Sequence, residues 1–213
     1  WWSKALTNTG VREAIKWSVL AGLSATLIAL VLGTVLAFAV SRYQFFGREV
    51  ISLLVVLPIS LPGIVTGIAL NNAFTKQLGM STGLLTVVIG HATFCIVVVY
   101  NNAVARLRRM GTSLQEASMD LGANGFTTFR LITLPNMASA LFAGGLLAFG
   151  LSFDEIVVTT FTAGPGIETL PIWIYNNLFR PNQTPIVNVV AATLVFISIV
   201  PIYLSQRLSS DSS

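Results

Sequence analysis

The chain reads as an all-α, polytopic transmembrane helix bundle, on three observations. Apolar residues make up 54% of it and charged residues 9%, the balance of an integral membrane protein. Five apolar runs, at 18–40, 51–74, 83–105, 138–161 and 186–206, each have the ~20 residues that a helix rising ~1.5 Å per residue needs to cross ~30 Å of hydrocarbon. The runs are continuous, whereas spanning barrels show alternating segments of about ten residues.

In chain order, residues 1–17 precede the first run. Trp1, Trp2 and Trp17 suit the headgroup belt and the segment 5–16 is mixed in polarity, so an interfacial stretch is expected there. No basic n-region precedes a short apolar core with a cleavage site, which argues against a signal peptide. The second run contains Pro58 and Pro62 followed by Gly63 and Gly67. Proline removes a backbone donor and clashes with the preceding turn, so this helix is expected to kink or unwind. Gly63, Gly67, Asn71 and Thr75 fall four apart, a small and polar face that suits tight helix packing, with pathway lining as the alternative.

The third run holds His91 and Cys95, spaced as two ligands on one helix face. No further ligand accompanies them, and the plainer reading is a histidine near the membrane boundary packed against neighbours. Cys95 is the only cysteine, which excludes an intrachain disulfide and cysteine zinc clusters. No GxxxxGK[ST] loop is present, so the chain does not hydrolyse ATP by that route. No metal, catalytic centre or cofactor of its own is expected.

The segment 106–135 is polar and basic. Ser113 and Glu116 have the spacing of a capping box at the start of a short helix over 114–121, stopped at Gly122. Leu114, Ala117 and Leu121 would share one face of that helix, where the small Ala117 and Ser118 allow another protein to approach closely. Asn124 is placed to cap a second helix running to Ile132, and Pro135 is expected to end it before the next span. Orientation follows from the basic residues. Arg42, Arg48, Arg106, Arg108, Arg109, Arg130 and Arg207 fall on one side, against Lys4, Arg12, Lys16, Lys76 and Arg180 on the other. This excess places 106–135 in the cytoplasm. The charge thus reads as topology, and no basic patch interleaved with aromatics points to nucleic acid. The tail 209–213 is expected to be disordered.

The fourth run carries Asp154 and Glu155. A charge at mid-bilayer costs roughly 2.5–3.5 kcal/mol on insertion scales, so such a pair is a functional candidate by default. Depth lowers that cost, because Asp154 lies ~27 Å along the helix from Asn136, near the outer interface. On a continuous helix Glu155 shares a stripe with Ser152, Thr159 and Thr162, and Asp154 with Leu147, Gly150, Val158 and Phe161. Glu155, Ser152 and Thr159, with Asn71, are therefore the substrate-pathway candidates, and Asp154 is open to pathway contact or to pairing at a helix interface.

The residues 116–135, EASMDLGANGFTTFRLITLP, resemble the EAA-x3-G-x9-I-x-L-P loop of bacterial ATP-binding-cassette importer permeases. Only Ser118, in place of the second alanine, departs from it. The outer loop FTAGPGIETLPIWIYNNLFRPNQTPIVNVVA, SFDEIVVTTF before it and HATFCIVVVY earlier are similar to the second permease subunit of spermidine/putrescine importers. The similarity covers the whole chain, although a proline often found in relatives is lacking around Ile96 and Val97.

The resemblance implies one transmembrane domain over 1–213 with six spans, five of them visible, so that a first helix is expected upstream of Trp1. It implies that Glu116, Ala117, Ser118, Asp120, Leu121, Gly122 and Ala123 form a coupling helix and its turn, docked on an ATPase. The implied partners are a homologous permease, two cytoplasmic ATPase subunits that bind ATP and magnesium, and an extracytoplasmic solute-binding protein. The implied place is the bacterial inner membrane, embedded in lipid. The implied cargo is a polyamine, which paired acids suit better than one acid alone. The rival expectation is an ion-coupled secondary transporter using Asp154 and Glu155 as a relay. A membrane scaffold would leave both the acids and the loop unexplained.

Overall fold

The structure, a computed structural model, describes residues 1–210. Residues 211–213 of the tail and the Arg207 side chain, both used above, lie outside the described residues. Helix α1 (Trp2–Thr7) is separated from α2 (Thr9–Arg42) by Asn8, whose side chain accepts from the Val11 backbone N–H at 3.1 Å. That cap corrects the division between an interfacial stretch at 1–17 and a span at 18–40. The helix already begins at Thr9, because Asn8 satisfies a free donor and Val11 and Ala14 bury against Leu170 and Trp173. Trp1 and Trp2 remain exposed.

The second run is broken. Helix α3 (Arg48–Ser60) ends before Pro62, and α4 (Gly63–Asn72), which continues through a π turn at Ala73–Gln77, leaves at 107° to it. Pro58 lies inside α3 without ending it, and the chain turns only at Pro62, which lacks the donor a continuing helix needs there. Helix α5 (Leu84–Arg109) follows, then the short α6 (Ser113–Asp120) and α7 (Gly125–Thr128). A π turn at Phe129–Thr133 joins α7 to α8 (Leu134–Phe153) without interruption. Pro135 therefore does not end a helix, which corrects the expectation above. The wide turn just before it accommodates the missing N–H.

Helices α9 (Val157–Thr162), α10 (Leu170–Asn177) and α11 (Thr184–Ser210) complete the chain. Among the described residues three helices, Thr9–Arg42, Leu84–Arg109 and Gly125–Phe153, are each long and apolar enough to cross a bilayer, and the bent pair makes a fourth if counted as one span. The last run falls on α11.

Helix α2 is the spine against which α5 and α8 pack. Ala21, Ala25, Ala29, Gly33 and Ala37 recur every four residues and are all buried, a small-residue stripe longer than that of Gly63 and Gly67 and absent from the expectations above. Small residues let backbones approach where lipid gives apolar helices no net hydrophobic drive to associate. A Cβ on Gly33 would stand 3.0 Å from Val99 Cβ and 3.1 Å from the Ile96 carbonyl oxygen. Helix α9 lies between α4 and α5.

Candidate functional site

The loop between α5 and α8 is built as a projecting peg. Gln115 is the one buried residue of α6, and its amide donates to Thr133 Oγ1 at 3.0 Å. Ser118 Oγ and Thr128 Oγ1 lie 3.1 Å apart, so the single departure from the motif pattern has a hydroxyl partner ten residues on. These two ties fasten α6 to the start of the α8 rod. Leu114, Met119, Leu121 and Phe126 are all at least half exposed, Leu121 at 89%. The expected outward face of Leu114, Ala117 and Leu121 is indeed on the surface.

The turn after α6 is a Schellman motif. The Ala123 N–H donates to the Ser118 carbonyl at 3.1 Å and the Gly122 N–H to the Met119 carbonyl at 2.9 Å, closing two otherwise free helix carbonyls. Gly122 has φ +87, in the left-handed region that costs other L-residues roughly 1–2 kcal/mol. Nothing stands within 4 Å of a Cβ built there, so glycine is required by backbone conformation and not by space. The capping box is not formed: α6 starts after Thr112 with no side-chain cap bond. That leaves the Glu116 carboxylate exposed and free for another role. Asn124 does cap the next helix, accepting from the Thr127 N–H at 2.8 Å.

The acidic pair sits on a helix break. Helix α8 stops at Phe153, Asp154 is its exposed C-terminal cap residue, and α9 starts at Val157. The break separates Ser152 from Thr159 and Thr162, so the single-helix stripes expected through 138–161 are not formed. Glu155 is half-buried and its Oε1 accepts from the Val158 N–H at 2.8 Å. A carboxylate at a helix N-terminus satisfies a free donor there and faces the positive end of the peptide dipoles.

Ser152 and Thr159 do meet, but through a residue from another helix. His91, 1% exposed, places Nδ1 2.7 Å from Ser152 Oγ and Nε2 2.8 Å from Thr159 Oγ1. Thr159 Oγ1 in turn donates to the Glu155 carbonyl at 2.9 Å. Since the Thr159 proton is used there, the network assigns Nε2 as the donor to Thr159 and Nδ1 as the acceptor from Ser152. One buried imidazole thus bridges both sides of the break. The packing reading of His91 fits this geometry, and its i, i+4 relation to Cys95 is incidental: Cys95 Sγ contacts the Ala148 carbonyl instead.

Asn71 is also a tie, its amide donating to the Phe161 carbonyl. On the same face a Cβ on Gly67 would meet the Phe161 ring at 2.6 Å, and one on Gly63 would touch Val157 at 3.5 Å. The small face of the first broken helix therefore packs on the second half of the other. Thr86 and Thr162 close the same junction from α5, Thr86 Oγ1 donating to the Thr162 carbonyl at 2.7 Å. Among the described residues no group of acids, histidines or cysteines is placed to hold a metal ion.

A helical membrane chain with a projecting peg between two long helices and a pair of broken ones matches a known class. The family model described as "binding-protein-dependent transport system inner membrane component" matches residues 16–211, and the chain belongs to that family as the permease subunit of an inner-membrane importer. It is 33% identical over 213 residues, all of this chain and 80% of the relative, to the spermidine/putrescine transport system permease protein PotC of Escherichia coli K12. It is 32% identical over 201 residues, 92% of this chain and 71% of the relative, to the putrescine transport system permease protein PotI of the same strain. Its fold is similar to that of a bacterial ABC transporter involved in import of the acidic polysaccharide alginate (TM-score 0.71, 16% identity, 99% of this chain and 78% of that one). It is equally similar to the inward-facing MetNI methionine ABC transporter (TM-score 0.71, 19% identity, 96% and 94%).

Proposed function

We propose that this chain forms half of the membrane channel of an ATP-driven importer of polyamines or a related small organic cation. The observation that carries the reading is the exposed α6 peg, held by the Schellman turn at Gly122 and two side-chain ties, in a chain similar along its whole length to polyamine permeases. Helix α6 docks in a cleft of an ATPase subunit, with Glu116, Ala117, Ser118, Asp120, Leu121, Gly122 and Ala123 as the contact region. A homologous permease completes the channel, two ATPases bind and hydrolyse ATP with magnesium, and an extracytoplasmic binding protein delivers the solute. The chain itself does no chemistry. ATP-driven closure of the ATPases moves the peg, and the rigid attachment of α6 to the α8 rod passes that movement toward the break at Asp154 and Glu155.

At that break the two carboxylates serve the cation. Glu155 is the stronger candidate, because capping α9 fixes its position, whereas Asp154 faces outward from the end of α8. At about 4 Å and an effective dielectric near 20, a carboxylate attracts an ammonium by roughly 4 kcal/mol, against about 1 in water. Ser152, Thr159 and Asn71 act one step back, holding the two half-helices that present the acids. An ion-coupled carrier using the same acids would transport without an ATPase, and the family match does not favour it.

The test is co-purification of the detergent-solubilised chain with its ATPase and binding protein, followed by uptake of labelled putrescine and spermidine in vesicles. Gly122→Leu is expected to leave the membrane assembly intact while uptake no longer follows ATP turnover. Uptake by the chain alone, driven by an ion gradient, would overturn the reading.

A further inference from the structure

On the coupling-loop side of the molecule an open cavity of about 1050 Å³ lies between the end of α2, the start of α3 and the end of α5. Arg42, Arg48 and Arg108 line it, against a single carboxylate, Glu49. Among the described residues the one ion pair is Lys16 with Glu13, so none of the three guanidinium groups is neutralised by the protein. Arg42 is partly tied down, its Nη2 reaching the Met110 carbonyl at 3.5 Å. Its Nε is buried without an acceptor, and so is the hydroxyl of the neighbouring Ser41, which also lines the cavity. Buried donors are ordinarily satisfied, and a charged one left open asks for an anion. Beside the cavity, Tyr43, Phe45, Phe46, Val50, Leu53 and Leu54 are exposed, an apolar and aromatic rim at the end of the spans, where the bilayer interface lies.

We propose that this cavity binds the phosphodiester headgroup of an anionic phospholipid from the leaflet on the coupling-loop side. Arg42, Arg48 and Arg108 surround the phosphate, and the exposed rim of α3 takes the acyl chains. Guanidinium forks match phosphate oxygens in pairs, and basic pockets between spans suit anionic headgroups. Three cationic groups against one acid repel a polyamine, which separates this cavity from the acidic break. The assignment of the leaflet rests on the reading of 106–135 as the cytoplasmic coupling loop. A bound lipid there would brace the start of α3 and the end of α5, immediately before α6.

The test uses the assembled complex in nanodiscs of phosphatidylcholine with or without phosphatidylglycerol. After detergent extraction and washing, retained phosphatidylglycerol is counted by mass spectrometry. Each arginine near the surface is worth roughly fivefold in anionic-lipid binding, so R42Q/R48Q should lower retention by roughly 25-fold while R130Q, outside the cavity, leaves it unchanged. R108Q supplies an independent variant should the double one misassemble, with an expected loss of roughly fivefold. Unchanged retention in these variants overturns the proposal. Displacement of the lipid by millimolar inorganic phosphate also overturns it, in favour of a free anion. Loss of the ATPase subunits from R42Q/R48Q with lipid retention intact overturns it in favour of a protein partner. Lipid retention is read without transport, so a wild-type chain that keeps its lipid but recruits no ATPase would sink the importer reading and leave this one standing.

Discussion

Two helices of this permease break inside the apolar part of the chain, and they break for different reasons. At Leu61 and Pro62 the cause is local: proline lacks a donor, and α4 leaves α3 at 107°. At Asp154 to Ile156 neither proline nor glycine stands at the break. There the cause is tertiary, since His91 bonds Ser152 on one side and Thr159 on the other, and Glu155 caps the new helix. The two second halves then pack on each other, with Gly67 under the Phe161 ring. Pro135 makes the converse point, for it lies within a 29-residue apolar helical rod that stays unbroken. Pro58 too lies inside α3 without ending it, so a proline does not by itself break a helix, and a helix breaks without proline where partners hold its ends.

The sharpest way to break this comparison is His91→Ala. It leaves two buried hydroxyls, each losing a bond at about 1–3 kcal/mol, and opens a void as well, so a total loss of about 3–5 kcal/mol is expected. The check is denaturation of the purified complex, with hydrogen exchange at the Val158 amide, which Glu155 caps, to report whether the break persists. A fully stable variant would mean that the break is set locally after all.

Gly67→Val should come next. Its Cβ would fall 2.6 Å from the Phe161 ring, and overpacking of this kind costs about 1–3 kcal/mol. Separation of α4 from α9 would be read as a lower Tm and as loss of putrescine uptake. Wild-type behaviour would show that the two half-helices do not need each other.

A smaller stability effect, but a larger functional one, is expected at the acids. Glu155→Gln keeps an oxygen to accept from the Val158 N–H, so stability should move by under about 1 kcal/mol. Uptake of a dication should fall at least about tenfold, as loss of a few kcal/mol of attraction requires. Asp154→Asn should lower uptake less, and equal effects of the two variants would remove the distinction drawn between cap and exposed end. The smallest change is expected from Pro135→Ala, within about 1 kcal/mol, because the π turn already accommodates the proline. A large loss of stability there would show that the proline shapes that turn.

Much of the loop between α5 and α8 is legible from residue types alone, because its conformation is local. Gly122 must take positive φ, Asn124 caps α7, and the peg's apolar side chains point outward as their spacing implies. The capping box at Ser113 and Glu116 was not formed, since Gln115 and Ser118 are pulled toward Thr133 and Thr128, contacts that no local pattern announces. The small-residue stripe from Ala21 to Ala37 was present in the sequence as a four-residue repeat, and its meaning required knowing that α5 and α8 lie against it.

The sequence by itself determined the membrane class, the apolar runs, the peg with its glycine turn and the proline break, all of which follow from hydropathy and from the allowed backbone angles of single residues. The tertiary structure decided where α8 stops, why Ser152 and Thr159 meet, and which face of α4 carries α9. Those outcomes depend on His91, Asn71 and Phe161 coming together from helices far apart in sequence, and no periodicity within one helix encodes which other helix will lie beside it.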